Sequence, residues 1–460
     1  MSTVAVIGAG ITGLTAGFRL RQQGIPVTVY EAGERVGGVI QSLRQDGYLA
    51  EFGPNTLLET SPKIGELIRE AGLAGRMLYS DAKASNRYLV RYRRTIAMPT
   101  TPLGFLKSDL FSPAAKCKLF LEPFKPRWHN AYEESVAQFV LRRLGREFLD
   151  YAIDALVAGI YAGDPARLSV IHGFPKLYAL EQKYGGMIKG QILGARERKR
   201  RAEVSKQDAK KISFDEGLQV LPDTLRERLG EAVCLRSEIT QIQPEDKEWR
   251  VRFRTPQGER EQRHRAVLYA GTAYRLADIK MPGGPGLDLA KFSKIDYPPV
   301  ASVVLGYRRR EVAHPLDGFG MLIPKIENFN ILGTLFSSAL FPNRAPADHV
   351  TLTSYVGGRR KPELASRSAE ELYRIVDADL RVLLGVTGEP AFRNCVFYPR
   401  AIPQYEVGYG EYKELMEQLE KRAPGFFIAG HMRHGISLSD SIVSGCEVAE
   451  RMGQWLSNAG

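Results

Sequence analysis

Cysteine is scarce and scattered in this chain of 460 residues: Cys117, Cys234, Cys395 and Cys446 stand far apart and form no C-x-x-C pair. That spacing excludes a disulfide framework and a zinc site and suits a reducing compartment. The seven histidines show no metal-ligand clustering either. No apolar run approaches the roughly eighteen residues that a membrane-spanning helix requires. The first residues read straight into a strand, which predicts no cleavable leader. What the chain does have is positive charge, with 64 Lys and Arg against 52 Asp and Glu and a formal net charge of +12. Such a balance implies acidic company: an anionic substrate, an acidic membrane surface or nucleic acid. Hydrophobic residues at 44% and charged residues at 25% are ordinary for a soluble globular protein. The length implies two or three domains.

Residues 3–7 (Thr-Val-Ala-Val-Ile) form a short β-branched run that reads as a buried parallel strand. It leads into Gly8-Ala9-Gly10-Ile11-Thr12-Gly13, a G-x-G-x-x-G loop, then a helix through Leu14, Phe18 and Leu20 that stops at Gly24. Pro26–Tyr30 is the second strand, with Glu31 at its carboxyl end. Gly8 permits a tight turn, Gly10 lets a pyrophosphate approach the backbone, and Gly13 lets helix and strand pack closely. The helix N-terminus offers the phosphates free N–H groups and the positive end of its dipole. Glu31 lies eighteen positions after Gly13, as a ribose-binding acid should, and its charge disfavours a 2′-phosphate. The unit predicts a bound dinucleotide.

From Glu31 the chain continues as E-x-x-x-R-x-G-G, with Arg35, Gly37 and Gly38 offering a second pass of backbone and positive charge near the pyrophosphate. This pattern resembles the fingerprint of the flavin family that includes amine oxidases, phytoene desaturases and protoporphyrinogen oxidases, and the resemblance implies FAD. At the other end, Gly425–Gly430 reads as a buried strand ending in glycine, and Asp440 is the expected N-cap of a last helix through Ile442, Cys446 and Met452. In such flavoproteins the last strand and helix close over the flavin, which implies roles for Gly430, Ile436 and Leu438. Cys446 falls inside that helix and is not expected to carry a covalent flavin. Residues 217–222 before a helix through Leu225 and Leu229, then short strands at 233–235, 238–242 (with Ile239), 249–253 and 266–271, suggest a third cofactor segment.

Further stretches resemble the protoporphyrinogen oxidases in particular. These are Gly47–Thr56, with Gly53, Pro54 and Asn55; Tyr161–Ser169, similar to that family's Y-A-G-D-P-x-x-L-S; Gly318–Pro324; and Gly333–Ser338 with Phe341–Pro346. One departure is the loop Gly430–Asp440, where His431, Arg433 and His434 replace the more usual small and aromatic residues.

The resemblance implies a Rossmann-like, discontinuous FAD-binding domain (1–80, 206–285 and 400–460), a mixed-sheet substrate domain (81–100 and 286–399) and a helical, membrane-facing subdomain (101–205). The fold class is thus α/β plus α+β. It implies oxidation of protoporphyrinogen IX to protoporphyrin IX in haem biosynthesis, a six-electron process run as rounds of hydride transfer to FAD with oxygen as acceptor. The flavin does the difficult step and the protein supplies position and electrostatics, so no catalytic residue beyond the flavin is nominated. Arg87 is the expected partner of a propionate, through its bidentate fork. Phe319, Leu322, Leu335 and Phe336 are candidate walls of the slot, Asn55 is placed between flavin and substrate, and Gly163 lets backbone come close. Residues 102–128 interleave Leu103, Phe105, Leu106, Leu110, Phe111, Leu119, Phe120, Leu121, Phe124 and Trp128 with Lys107, Lys116, Lys118, Lys125 and Arg127. That suits a segment lying in an anionic headgroup layer, at the cytoplasmic face of a membrane. The basic run from Arg196 to Lys211 has no interleaved aromatics and reads as a solvated loop rather than a nucleic-acid site. Coproporphyrinogen III is an alternative substrate, and extra cations around the slot would favour it. An amine oxidase would need an aromatic cage that Gly430–Asp440 lacks; a carotenoid desaturase would not explain Arg87; a catalytically silent tetrapyrrole carrier is the rival outside enzymes. A homodimer and a downstream chelatase are partners left open.

Overall fold

The structure, a computed structural model, describes residues 3–127, 132–200 and 209–458. Two seven-stranded sheets organise it. In the first, Thr3–Ile7 runs parallel to Val27–Tyr30 on one side and to the end of Gly258–Tyr269 on the other. Val233–Cys234 and Phe426–Ile428 extend this parallel array outward. Strands buried on both faces need continuous apolar side chains, and Val4, Ala5 and Val6 are fully buried. The long strand Gly258–Tyr269 serves two arrays. Its first half pairs antiparallel with Glu248–Thr255, which pairs in turn with Glu238–Glu245. Its apolar second half enters the parallel array beside Phe426–Ile428.

The first helix, Ile11–Gln22, crosses the last, Leu438–Asn458, at close range. A Cβ on Gly445 would lie 2.6 Å from the Thr12 carbonyl oxygen, and the Thr12 hydroxyl donates to the Ser441 carbonyl at 3.1 Å. Asp440 is not the N-cap of the last helix. That helix begins at Leu438, and Ser437 and Asp440 form a capping box: Ser437 Oγ accepts from the Asp440 N–H at 3.1 Å, and the Asp440 carboxylate accepts from the Ser437 N–H at 3.3 Å. An acid at the third helical position thus looks like a cap when the serine before it is overlooked.

The second sheet has the order Phe392–Tyr398, Val300–Arg308, His349–Gly357, Ile331–Leu335, Gly318–Leu322, Asn86–Arg91, Arg94–Ala97. One face packs on helix Ala369–Leu384 through Val303, Leu305, Leu352, Val376 and Leu380. Residues 102–127 and 132–200 are mainly helical. Around them Arg143, Glu122 and Glu181 are fully buried together, with Arg143 Nε 3.0 Å from Glu181. Buried charges of this kind persist only when paired, and the cluster ties helix Val136–Arg143 to helix Pro175–Tyr184. Leu110 and Phe111 turn inward, whereas Leu103, Leu106, Phe120, Leu121 and Phe124 are exposed, Phe124 by 83%. Trp128 lies outside the described residues. No helix among the described residues is long and apolar enough to cross a membrane.

Of the basic run, Arg196–Arg200 ends helix Met187–Arg200 and residues 201–208 lie outside the described set. Lys211 is not in a loop. It opens strand Lys211–Phe214, which sits between Leu57–Leu58 and Met77–Tyr79.

Candidate functional site

The parallel strands all end at one edge, where the chain leaves Ile7, Tyr30, Tyr269 and Ile428 and where open α/β sheets bind their ligands. Gly8 turns off its strand with φ +99°, its N–H donating to the Tyr30 carbonyl at 2.8 Å. A Cβ at Gly13 would stand 1.9 Å from the Gly8 carbonyl oxygen, whereas one at Gly10 would meet nothing within 4 Å. Gly10 precedes the first helix without a side-chain cap. Open space therefore lies against uncapped amide groups and the positive end of the dipole, a donor set that fits a pyrophosphate.

Glu31 accepts from the Ala9 N–H through one carboxylate oxygen and from the Gly33 N–H through the other, both at 2.8 Å. Each oxygen keeps a lone pair for a ribose hydroxyl. Gly37 donates to the Ala9 carbonyl at 2.8 Å, and a Cβ on Gly38 would lie 3.6 Å from the Gly10 Cα. The Arg35 guanidinium donates to the carbonyls of Val36, Gly38 and Ile40, so it clamps this loop by hydrogen bonds as well as adding charge beside it. Ser237 donates to the Glu31 carbonyl at 2.8 Å, bringing half-buried Ile239 alongside. A Cβ on Gly53 would lie 2.0 Å from the Val39 carbonyl oxygen, which holds Gly53 and Pro54 against the same loop.

Gly430 takes φ +100° beside Thr12, and Ile436 and Leu438 follow at the start of the last helix. The three unusual residues here hold the loop. The His431 ring meets the Tyr297 hydroxyl at 3.3 Å, and burial lowers its pKa to about 4. Arg433 pairs with Glu420 at 2.5 Å, and His434 bonds the Ser444 hydroxyl at 2.8 Å. Tyr405 and Tyr409 donate to the carbonyls of His431 and Met432. Gly163 lies one contact behind: a Cβ there would come within 2.4 Å of the Gln404 side-chain oxygen, and Gln404 donates to the Tyr161 carbonyl at 2.8 Å.

The register of the second sheet brings the expected substrate residues together. Arg87, Gly320, Leu335 and Thr353 are partners in one row across four strands, and Leu89, Leu322, Gly333 and Tyr355 in the row two residues along, on the same face. Directly paired residues share a face. Arg87, Leu322 and Leu335 therefore lie on the same face as Tyr355. The Tyr355 hydroxyl accepts from the Asn55 amide at 2.7 Å and donates to the Gly53 carbonyl at 3.2 Å, which joins this face to the cofactor segment. Leu322 packs against Gly159, where a Cβ would come within 2.4 Å of it. Phe319 occupies a bulge between Gly318 and Gly320 and is half-buried against Ala84, Leu340 and Phe341. Phe336 is not a wall of this slot. It is fully buried on the opposite face with Tyr88 and His314, because the chain turns away after Leu335.

Sequence reasoning missed Tyr355, Thr12 and Gln404. Thr12 sits inside the glycine loop and was legible in principle. The other two contact the site only through pairings distant in sequence.

Residues 11–453 match the model of the family described as flavin containing amine oxidoreductase. The chain is 36% identical to protoporphyrinogen oxidase 2, chloroplastic/mitochondrial, from Arabidopsis thaliana, over 97% of this chain and 93% of that protein. It is 28% identical to coproporphyrinogen III oxidase from Bacillus subtilis (strain 168), over 96% of each. A crystal structure from Exiguobacterium sp. 255-15, described as a candidate protoporphyrinogen oxidase, shares the fold with a TM-score of 0.81 at 23% identity, over 98% of this chain and 99% of that one.

Proposed function

The chain belongs to the flavin containing amine oxidoreductases and, among them, to the protoporphyrinogen oxidases, and from that premise we propose that it oxidises protoporphyrinogen IX to protoporphyrin IX. The observation that carries this reading is the row Arg87–Gly320–Leu335–Thr353, adjoining Tyr355 and its bond to Asn55. One face thereby offers a cation, apolar side chains and a bridge to the cofactor segment. When bound, FAD supplies a two-electron acceptor that oxygen regenerates.

The residues around it bind, orient and exclude. The open space at Gly10 and the helix behind it take the pyrophosphate, and Glu31 takes the ribose hydroxyls. Asn55 and Tyr355 fix the segment between cofactor and slot. Leu322 and Leu335 pack against the macrocycle and exclude water from it, while Arg87 pairs with a propionate. In this reading residues 1–80, 206–285 and 400–460 form the cofactor domain, and 81–100 with 286–399 the substrate domain.

Exposed Leu103, Leu106, Phe120, Leu121 and Phe124, with Lys107 and Lys118 among them, give residues 102–124 a surface suited to an anionic bilayer. A poorly soluble porphyrinogen would load from there. The test presents protoporphyrinogen IX and coproporphyrinogen III side by side in aerated buffer and follows porphyrin fluorescence. A clear preference for protoporphyrinogen supports the proposal. A preference for coproporphyrinogen changes the substrate, and no rate above background for either rejects the reading.

A further inference from the structure

We propose that Lys211 is a second carboxylate-binding residue of the substrate slot, standing beside Arg87 so that the pair holds two propionates at one edge of the macrocycle. The inference rests on the porphyrinogen reading above and names a specificity residue within it.

The placement comes from three independent pairings. Lys211 is the Cα partner of Leu58, three residues beyond Asn55 in the segment between cofactor and slot. Its ammonium stands 5.7 Å from the centre of the Phe319 ring. Phe319 is the bulged residue next to Gly320, and Gly320 pairs with Arg87. Lys211 and Arg87 thus reach the same corner of the slot from different strands, with an aromatic ring beneath the lysine.

The charge at that corner points to an anion. Lys211 is half-buried, and burial, followed by the positive charge of Arg87, lowers its pKa. Two of the protein's buried arginines are neutralised by its own acids. Arg143 has Glu122 and Glu181, and Arg360 has Asp154 at 2.6 Å. Among the described residues Lys211 pairs with no carboxylate. A desolvated ammonium beside another cation is disfavoured until a negative group joins it, and a dicarboxylate delivered by substrate meets that need.

Protoporphyrinogen IX carries its two propionates on neighbouring rings, along one edge, and two cations at one corner match that pattern. Coproporphyrinogen III shares this pair and adds two carboxylates elsewhere on the macrocycle, which this corner does not serve.

The experiment compares wild type with Lys211→Met, Lys211→Gln and Lys211→Arg, measuring KM and kcat for protoporphyrinogen IX and for its dimethyl ester, with bound flavin as the check on folding. A charge-assisted bond at this site predicts a KM for the diacid raised about tenfold in Lys211→Met and Lys211→Gln. The KM for the ester, and kcat for both substrates, should hold, and Lys211→Arg should restore the diacid KM. An unchanged diacid KM in flavin-replete Lys211→Gln overturns the inference alone, as does an equal rise for diacid and ester, which would mark a packing role. A wild-type protein that oxidises neither substrate overturns the functional reading beneath it.

Discussion

The Asn55 amide donates to the Tyr355 hydroxyl at 2.7 Å, joining residues 300 positions apart in the chain. The same hydroxyl donates to the Gly53 carbonyl, and burial pushes the phenol pKa up, so it stays a neutral donor. Tyr355→Phe removes both bonds and leaves the half-buried Gly53 carbonyl with only the longer 3.3 Å contact from Asn55. The expected cost is about 1–2 kcal/mol of stability. A lowered melting temperature and a fall in kcat/KM with flavin retained would check it.

Gly10 and Gly13 should respond differently to the same small change. At Gly13 an added methyl collides with the Gly8 carbonyl oxygen at 1.9 Å, whereas at Gly10 it enters open space. Gly13→Ala should therefore lower the melting temperature of the apoprotein as well as lose flavin. Gly10→Ala should leave the apoprotein melt near wild type and lose flavin absorbance, because the methyl occupies the place of the pyrophosphate.

Glu51 is fully buried, accepting from the Ser42 hydroxyl at 2.6 Å and from the Leu218 N–H at 2.8 Å, with Arg344 3.9 Å away. Burial raises its pKa from 4.5 to about 7 against the pull of these partners. A carboxyl whose folded-state pKa is raised contributes stability below its unfolded pKa and loses it as pH rises through the folded value. Glu51→Gln removes this titration. Its stability relative to wild type should increase from pH 4.5 to about pH 7 and level off above, as read from denaturant melts across that window.

The exposed apolar side chains of the helical segment give a separable prediction. Leu121→Glu combined with Phe124→Glu should weaken co-sedimentation with anionic phospholipid vesicles severalfold, by removing apolar burial and adding repulsion. Turnover of detergent-dispersed substrate should stay near wild type.

The N-terminal unit was legible because its chemistry is local: strand, glycine loop, helix and acid lie within 31 residues, and each follows from backbone geometry. Helix Val220–Leu229 and strand Phe426–Ile428 were readable from apolar patterning flanked by glycine. The substrate face was only partly readable. Leu322 and Leu335 share a face with Arg87 through a register that a bulge at Phe319 resets, and no local pattern reports a bulge. Phe336 looked like its neighbour Leu335, yet one turn of backbone sends it into the opposite core. Lys211 was hidden by the basic run before it, because alternation in strand Lys211–Phe214 spans too few residues to show. Tyr355 had no signal at all, since its partners are hundreds of residues away.

The central claim is that electrons pass from a porphyrinogen to a flavin held by this chain. The direct measurement mixes the purified protein anaerobically with protoporphyrinogen IX and records the visible spectrum. The account predicts that the oxidised-flavin band bleaches on mixing, when the flavin takes the first two of the six electrons, and that on admitting air the band returns and porphyrin absorbance grows. Porphyrin formation without bleaching, or a flavin band indifferent to substrate, would contradict it.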